Sequence, residues 1–213
     1  MSTGGSLPKP ASRLGKAGCV FGVVVAAFSL YMAYSGPSIH YGPIWFYHIL
    51  VYELFFILVP IWMLIMAAYF LGFRRTSNRT LGLVAGIGGL VSGVASFLVL
   101  FVLVYSGLTT GYSFGVSPEY WGWYTMLTTW FDATLVGGVA LVLFGIVYLK
   151  VSSGGKRNPF GLLAGLLYIA IGVFGILIGL GPATAALAFF NDFSLIPWMY
   201  GLILFPSLLS LKA

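Results

Sequence analysis

Two carboxyl side chains stand inside apolar stretches of the sequence, and they are the residues best suited to chemistry. Glu53 lies within WFYHILVYELFFILVP, and Asp132 lies within WYTMLTTWFDATLVGG. A carboxyl group in such surroundings can carry a proton, bind a cation or hydrogen-bond to a neighbouring helix. Three interpretations therefore stay open: polar contacts between helices, a proton or cation role, and contact with a partner protein.

A short polar stripe accompanies the second carboxyl. Thr125, Thr128 and Thr129 precede Asp132 at helical spacing, which predicts that this stripe faces protein and not lipid. The corresponding positions before Glu53 are apolar, so that carboxyl is expected to find its partner on another helix. The candidate intramembrane polar residues are Glu53, Asp132, Thr128, His48 and Glu119.

The residue types favour neither a metal centre nor a prosthetic group. A b-type haem held between helices needs histidines on facing helices at matched depth, whereas His40 and His48 stand close together in the sequence. A metal site built from them with Glu53 or Glu119 lacks ligand spacing such as HxxxH. Cys19 is the single cysteine and is predicted to be a small buried residue. No cofactor is identifiable, and catalysis by this chain alone is not expected.

Composition decides the class of protein. Of the 213 residues, 60% are apolar and only 7% are charged, against about 25% charged in soluble domains. A chain of this size cannot hide so much apolar surface from water, so the lipid bilayer is its predicted solvent. The net charge of +6 resides in short turns between apolar runs, which argues against binding of nucleic acid.

The apolar runs predict an all-α integral membrane protein with about six transmembrane helices. A polar arm, residues 1–16, precedes a single transmembrane domain, residues 17–213. Five of the predicted spans are long, and the last is short and contains Pro206. Small-xxx-small patterns in the third span, Gly82 to Gly86 and Gly89 to Gly93, are typical of close helix packing in lipid. The predicted spans are 17–34, 44–73, 81–105, a fourth that follows the long loop 106–123 and runs to about 149, then 160–180 and 195–211.

The positive charges predict the orientation of these helices. With six spans, all ten Lys and Arg residues fall on one side, in the arm, two turns and the C-terminal end. The opposite side carries Glu119, Asp192 and His40. The excess of Lys and Arg on cytoplasmic loops therefore predicts a multi-pass protein of the cell membrane with both termini in the cytoplasm. Counting helix rise from the basic turns puts Glu53 and Asp132 about 27–30 Å away, near the outer edge of the hydrocarbon.

An internal repeat is the other large-scale pattern. Glu53 and Asp132 lie 79 positions apart (132 − 53), and the same offset relates Tyr69 to Tyr148 and the run LGLVAG to FGLLAG. The sequence thus predicts a tandem repeat of a two-helix unit, with copies at about residues 41–107 and 120–186. Both copies would enter the membrane from the same side, which makes the repeat parallel.

Two short segments resemble subunits of energy-converting membrane complexes. The run from Tyr52 to Phe56, YELFF, looks like the glutamate-bearing helix of haem–copper oxidase subunit III. The run from Ser117 to Trp121, SPEYW, is similar to a segment of the C subunit of copper membrane monooxygenases. In that family a histidine follows the proline and helps to bind metal, whereas Glu119 and Tyr120 stand here, so the metal site does not carry over.

These observations predict a non-catalytic integral membrane subunit of a larger complex, plausibly an energy-converting one of the respiratory oxidase or membrane monooxygenase type. Its expected partners are the lipid bilayer and other membrane subunits. The alternative is a small proton-coupled transporter or channel in which Glu53 and Asp132 line the path.

Overall fold

The computed structural model describes the backbone of residues 9–35, 45–75, 78–110, 120–153, 158–180 and 200–212. Side chains are described for residues 13–31, 33–34, 57–73, 78–98, 101, 135–153, 158–180 and 200–212. Within these ranges the chain forms helices and turns and contains no strand. The prediction of an all-α protein is therefore confirmed for the described residues.

Six α-helices follow one another along the described chain, and a short 3-10 helix, Gly72–Arg75, follows the second. Four of the six contain segments long and apolar enough to cross a membrane: Arg13–Tyr31, Arg79–Leu98, Leu135–Ser153 and Pro159–Gly179. The helices are α1 (Lys9–Ser35), α2 (Trp45–Leu71), α3 (Arg79–Thr110), α4 (Tyr120–Ser153), α5 (Pro159–Gly179) and α6 (Leu204–Lys212).

The ends of two helices differ in an instructive way from the predicted spans. α1 begins at Lys9, inside the segment that the sequence assigns to the polar arm. α6 begins only at Leu204, and Pro206 lies in its first turn. Proline is tolerated there because the amide groups of a first helical turn have no partner within the helix. The predicted span 195–211 thus contains the first eight of the nine residues of α6.

The start of α5 is fixed by local chemistry. The side-chain oxygen of Asn158 accepts hydrogen bonds from the amides of Phe160 (3.1 Å) and Gly161 (3.3 Å). Pro159 follows directly at the first helical position, where its fixed backbone angle suits a helix. The turn between α4 and α5 therefore ends at a defined residue.

The helices pack as a closed ring. α1 packs against α2 and α6, α3 packs against α2 and α4, and α5 packs against α4 and α6. Each helix therefore has two principal neighbours, and the first and last helices of the chain meet to complete the ring.

Large side chains fill the centre of this ring. Phe70 of α2 stacks on Phe144 of α4 with ring centroids 4.6 Å apart, and Trp62 meets the same ring edge-on at 6.4 Å. All three side chains are at most 1% exposed. Met63, Met66, Leu141 and Ile203 complete the centre and are also fully buried.

Glycines bring α4 and α5 into backbone contact. A methyl group added at Gly138 would lie 2.6 Å from the carbonyl oxygen of Gly172, and one added at Gly172 would lie 2.6 Å from that of Gly138. Two turns further along α4, a methyl group at Gly145 would lie 2.5 Å from the carbonyl oxygen of Gly165. Only residues without a side chain permit this approach.

The α2–α3 pair uses glycine differently. The glycines lie on α3, and large side chains of α2 cover them. A methyl group added at Gly93 would lie 2.8 Å from the side chain of Leu64, and one at Gly86 would lie 2.6 Å from that of Leu71. Gly82, Gly86, Gly89 and Gly93 are all buried, as the small-xxx-small patterns predict.

Candidate functional site

The structure gives the backbone of most residues singled out from the sequence. Glu53 and His48 lie on α2, and Thr128 and Asp132 lie on α4. Their side chains fall outside the described side chains, and Glu119 falls outside the described residues altogether. The roles assigned to these five residues therefore stay predictions.

The described side chains do form a polar cluster inside the bundle, which the sequence reading did not find. We call it the hydroxyl cluster and define it as Cys19 of α1, Tyr148 of α4, Tyr168 of α5 and Ser207 of α6. The Cys19 thiol lies 3.8 Å from the Tyr148 hydroxyl, and the Tyr168 hydroxyl lies 3.5 Å from the Ser207 hydroxyl. The two tyrosine rings stack with centroids 5.6 Å apart.

Burial explains why these polar groups must meet. Cys19 is 2% exposed, and Tyr168 and Ser207 are fully buried, so water does not reach them in the bundle. A hydroxyl group inside a membrane bundle needs a protein partner, because hydrocarbon supplies none. The hydroxyl cluster therefore ties four helices, α1, α4, α5 and α6, together at one point.

The chemistry available to the hydroxyl cluster is limited to neutral hydrogen bonding. Its groups are two phenols, an alcohol and a thiol, each of which is uncharged at neutral pH by its ordinary pKa. Cys19 is buried, as the sequence predicts, and contacts a hydroxyl group as well as apolar neighbours. The cluster is suited to holding helices in register.

A second polar contact joins α1 to α2. The indole nitrogen of Trp62 donates a hydrogen bond of 3.1 Å to the carbonyl oxygen of Gly18. Gly22 makes room for the indole, because a methyl group at this position would lie 2.8 Å from that nitrogen and 2.5 Å from the Ser207 hydroxyl. The Trp62 contact therefore lies beside the hydroxyl cluster.

Ser92 of α3 contrasts with the other buried serines. Its hydroxyl is the one buried side-chain polar atom without a hydrogen-bond partner among the described residues. It faces the gap at Gly137, where a methyl group would lie 3.5 Å from it and 3.3 Å from the Tyr200 hydroxyl. Ser29 of α1 instead donates to the carbonyl oxygen of Val25 at 2.7 Å.

A cation–π contact lies at the basic end of the bundle. The ammonium group of Lys212, at the end of α6, lies 5.6 Å from the centre of the Phe160 ring, at the start of α5. A cation over an aromatic face is stabilised by the negative potential of the ring. This contact brings the end of the last helix level with the start of α5.

One signal in the sequence could have pointed to the hydroxyl cluster. The buried face of α5 consists of Gly and Ala at most positions, and Tyr168 interrupts it with a large polar side chain. A tyrosine in that setting needs a partner for its hydroxyl group. Its partner could not be identified, because Tyr168 and Ser207 are 39 positions apart and Cys19 and Tyr148 are 129 apart.

Comparison of the chain with protein-family models, with curated proteins and with solved structures finds no match in any of the three.

Proposed function

We propose that this protein is a non-catalytic integral membrane subunit of a larger membrane complex, of the energy-converting kind found in respiratory oxidases or membrane monooxygenases. The observation that carries the proposal is the filled centre of the helix ring in the part of the bundle whose side chains the structure describes. Trp62, Phe70 and Phe144 meet there in direct ring contact and are almost completely buried. A solid centre suits a subunit whose task is to pack, because transport requires a polar or hydrated route through the bundle.

The surface of the bundle supports the same proposal. α3 exposes a continuous apolar face, with Ile87, Val91 and Leu98 between 48% and 58% exposed. Such a face can be covered by lipid or by the helices of other membrane subunits. Both are partners that the proposed role requires.

We infer a location in the cell membrane, with both termini in the cytoplasm. Support comes from basic residues at helix ends: Arg13 and Arg79 near the starts of α1 and α3, and Lys150 and Lys212 near the ends of α4 and α6. In an alternating bundle these four ends share one side, which the charge rule assigns to the cytoplasm. Labelling of single cysteines, Lys212→Cys and Ser38→Cys, with a membrane-impermeant reagent on intact cells tests this orientation. Labelling of Ser38→Cys alone is expected, and labelling of Lys212→Cys alone would show the opposite orientation.

We also infer the tandem repeat with its 79-residue offset. Every buried residue in the described part of α3, from Gly82 to Gly93, has a buried counterpart 79 positions later on α5, from Gly161 to Gly172. The helices begin at Arg79 and Pro159, which differ from that offset by one residue.

Purification from the native membrane tests the proposed role. The chain carries an affinity tag, is extracted in mild detergent and is analysed by gel filtration and mass spectrometry. Other membrane subunits in fixed stoichiometry are the expected result. A matched pair of variants serves as control: Gly88→Ala should retain these subunits, whereas Gly138→Ala, which forces α4 and α5 apart, should retain fewer of them. Recovery of the chain alone, or only as a homo-oligomer, would contradict the role.

The competing function is a small proton-coupled transporter or channel. Its support is that Glu53 lies on α2 and Asp132 lies on α4. It predicts pH-dependent flux in liposomes that Glu53→Gln combined with Asp132→Asn abolishes. Flux of the native protein at the level of empty liposomes would remove this alternative.

A further inference from the structure

Three helices of the bundle bury residues with the same spacing. Gly15, Gly18, Cys19, Gly22, Val25 and Ala26 of α1 are buried, and each has a buried counterpart 67 positions later on α3 (82 − 15). Each also has a buried counterpart 146 positions later on α5 (161 − 15). The second of these shifts contains the 79-residue offset of the tandem repeat, since 67 and 79 add to 146. α1 therefore shares the pattern of α3 and α5.

The alternate helices share a second pattern. Val59, Pro60, Trp62 and Met66 of α2 are buried, and each has a buried counterpart 78 positions later on α4 (138 − 60). The same four have buried counterparts 141 positions later in the segment 200–212 that contains α6 (201 − 60). The counterparts of the buried Met63, Ala67 and Phe70 in that segment are not buried. Tyr200, Gly201 and Ile203 precede α6 and only Ser207 lies in it, so the segment 200–212 as a whole corresponds to parts of α2 and α4.

A helix period alone gives any two packed helices similar burial, so an independent contact is needed. A methyl group at Gly138 of α4 would lie 2.7 Å from the backbone nitrogen of Ile176 of α5. A methyl group at Gly201, its counterpart before α6, would lie 3.7 Å from the backbone nitrogen of Leu30 of α1. Leu30 and Ile176 are 146 positions apart (176 − 30), the shift already found from burial. The added methyl group therefore faces the backbone nitrogen of equivalent residues, Ile176 and Leu30, in the α4–α5 and α6–α1 pairs.

The third pair of helices fits the same contact. Pro60 of α2 is the counterpart of Gly138, and Gly93 of α3 is the counterpart of Gly172. A methyl group at Gly93 would lie 3.3 Å from the carbonyl oxygen of Pro60, as one at Gly172 lies 2.6 Å from that of Gly138. Even- and odd-numbered helices also alternate around the ring.

We propose that the six helices are three copies of one helix pair, arranged around a pseudo-threefold axis. Two pairs, α2–α3 and α4–α5, are continuous in the chain. The third pair consists of α6 and α1 and is assembled from the two ends of the chain. This inference concerns the architecture and does not depend on the proposed function.

The three pairs differ in side-chain size at the hydroxyl cluster. Tyr168 of α5 occupies the position of Gly22 and Gly89, and Ser207 of α6 occupies the position of Met66 and Phe144. The small serine leaves space that the large tyrosine fills, and the two hydroxyl groups meet at 3.5 Å. A reciprocal exchange of size between neighbouring copies preserves the packing of a pseudo-symmetric bundle.

Distances between spin labels test the threefold arrangement directly. Val20, Ile87 and Leu166 are counterparts on α1, α3 and α5 and are 54%, 48% and 56% exposed. Cysteines are placed at two of these positions at a time in a Cys19→Ala background, labelled with nitroxides and measured by pulsed electron resonance in detergent or nanodiscs. Three equal mean distances are expected. A spread of more than one interhelical distance, about 8–10 Å, would overturn the proposal.

A circular permutant tests whether α6 and α1 form a true pair. The chain is opened in the turn between α2 and α3, and Ala213 is joined to Met1 so that residues 1–8 serve as the linker. All chain ends and the new connection stay on one side of the membrane. The expected product shows the same three label distances as the native chain. A folded permutant with changed distances would contradict the pairing, and if the permutant does not fold, the distances in the unpermuted protein decide.

Discussion

The two continuous helix pairs, α2–α3 and α4–α5, solve one packing problem in two ways. In α4–α5 the backbones touch through Gly138, Gly145 and Gly172, with glycine on both helices. In α2–α3 the glycines lie on α3 alone, and the nearest atoms belong to side chains such as Leu64 and Leu71, while backbone atoms of α2 lie 2.9–3.3 Å from the added methyl groups. Backbone contact is rigid because neither surface can move aside, whereas a leucine can change rotamer. The comparison predicts that equal substitutions have unequal effects.

Substitution of a glycine in the rigid pair should have the largest effect. In Gly138→Ala the added methyl group would meet the Gly172 carbonyl oxygen at 2.6 Å and the Ile176 nitrogen at 2.7 Å. We expect a loss of at least the 1–3 kcal/mol typical of overpacking, because the helices must separate. Chemical unfolding in detergent micelles measures it. Gly88→Ala is the control, since its methyl group meets only the end of the Leu143 side chain closer than 3.9 Å. Equal losses for the two variants would remove the distinction between rigid and yielding contacts.

Substitution of a glycine in the α2–α3 pair should cost less stability, and a second substitution that shortens the covering side chain should restore part of the loss. Gly93→Ala meets the Leu64 side chain at 2.8 Å, and we expect a loss of about 1 kcal/mol that shrinks when Leu64→Ala is added. The matched cycle combines Gly172→Ala with Val142→Ala. There the Gly138 carbonyl oxygen remains in place, so most of the loss should persist. Rescue of both pairs to the same extent would contradict the comparison.

The link from α2–α3 to α1 should have a moderate effect. Trp62→Phe removes the hydrogen bond to the Gly18 carbonyl oxygen and keeps an aromatic ring. The lost hydrogen bond is worth about 0.5–1.5 kcal/mol, and the smaller ring adds a packing loss. The acceptor is a backbone carbonyl oxygen, which no side-chain substitution at residue 18 removes, so the variant measures the two contributions together. An unchanged unfolding free energy for Trp62→Phe would show that the bond contributes nothing.

The contact between α3 and α4, which joins the two pairs, should tolerate substitution best. Ser92 of α3 faces Gly137 of α4 without a hydrogen-bond partner within the described part of the bundle. Removing an unpaired buried hydroxyl relieves its desolvation cost, so Ser92→Ala should leave the unfolding free energy unchanged or raise it by less than about 1 kcal/mol. Ser29→Ala, which loses a bond to Val25, is the comparison variant. A clear loss at Ser92→Ala would mean that its hydroxyl does have a partner.

The sequence predicts the helical class, the basic ends and the small-residue face of α3 because each depends on local composition. Gly82, Gly86, Gly89 and Gly93 could be assigned to packing from their spacing alone. The hydroxyl cluster could not, because it depends on which helices become neighbours. Cys19 and Tyr148 are 129 positions apart in the chain, and they meet because α1 and α4 face each other across the ring. The role of α1 as a third copy was hidden for the same reason, since its partner α6 lies at the other end.

The one-residue difference between the two repeat offsets changes how the intramembrane carboxyls relate to each other. Burial repeats after 79 positions between α3 and α5 but after 78 between α2 and α4. At the latter offset the counterpart of Asp132 is Leu54, and Glu53 stands one residue, or about 100° of helix rotation, away. In this register the two acids stand at different positions of the proposed helix pair. We therefore expect that a substitution at one is not compensated at the other.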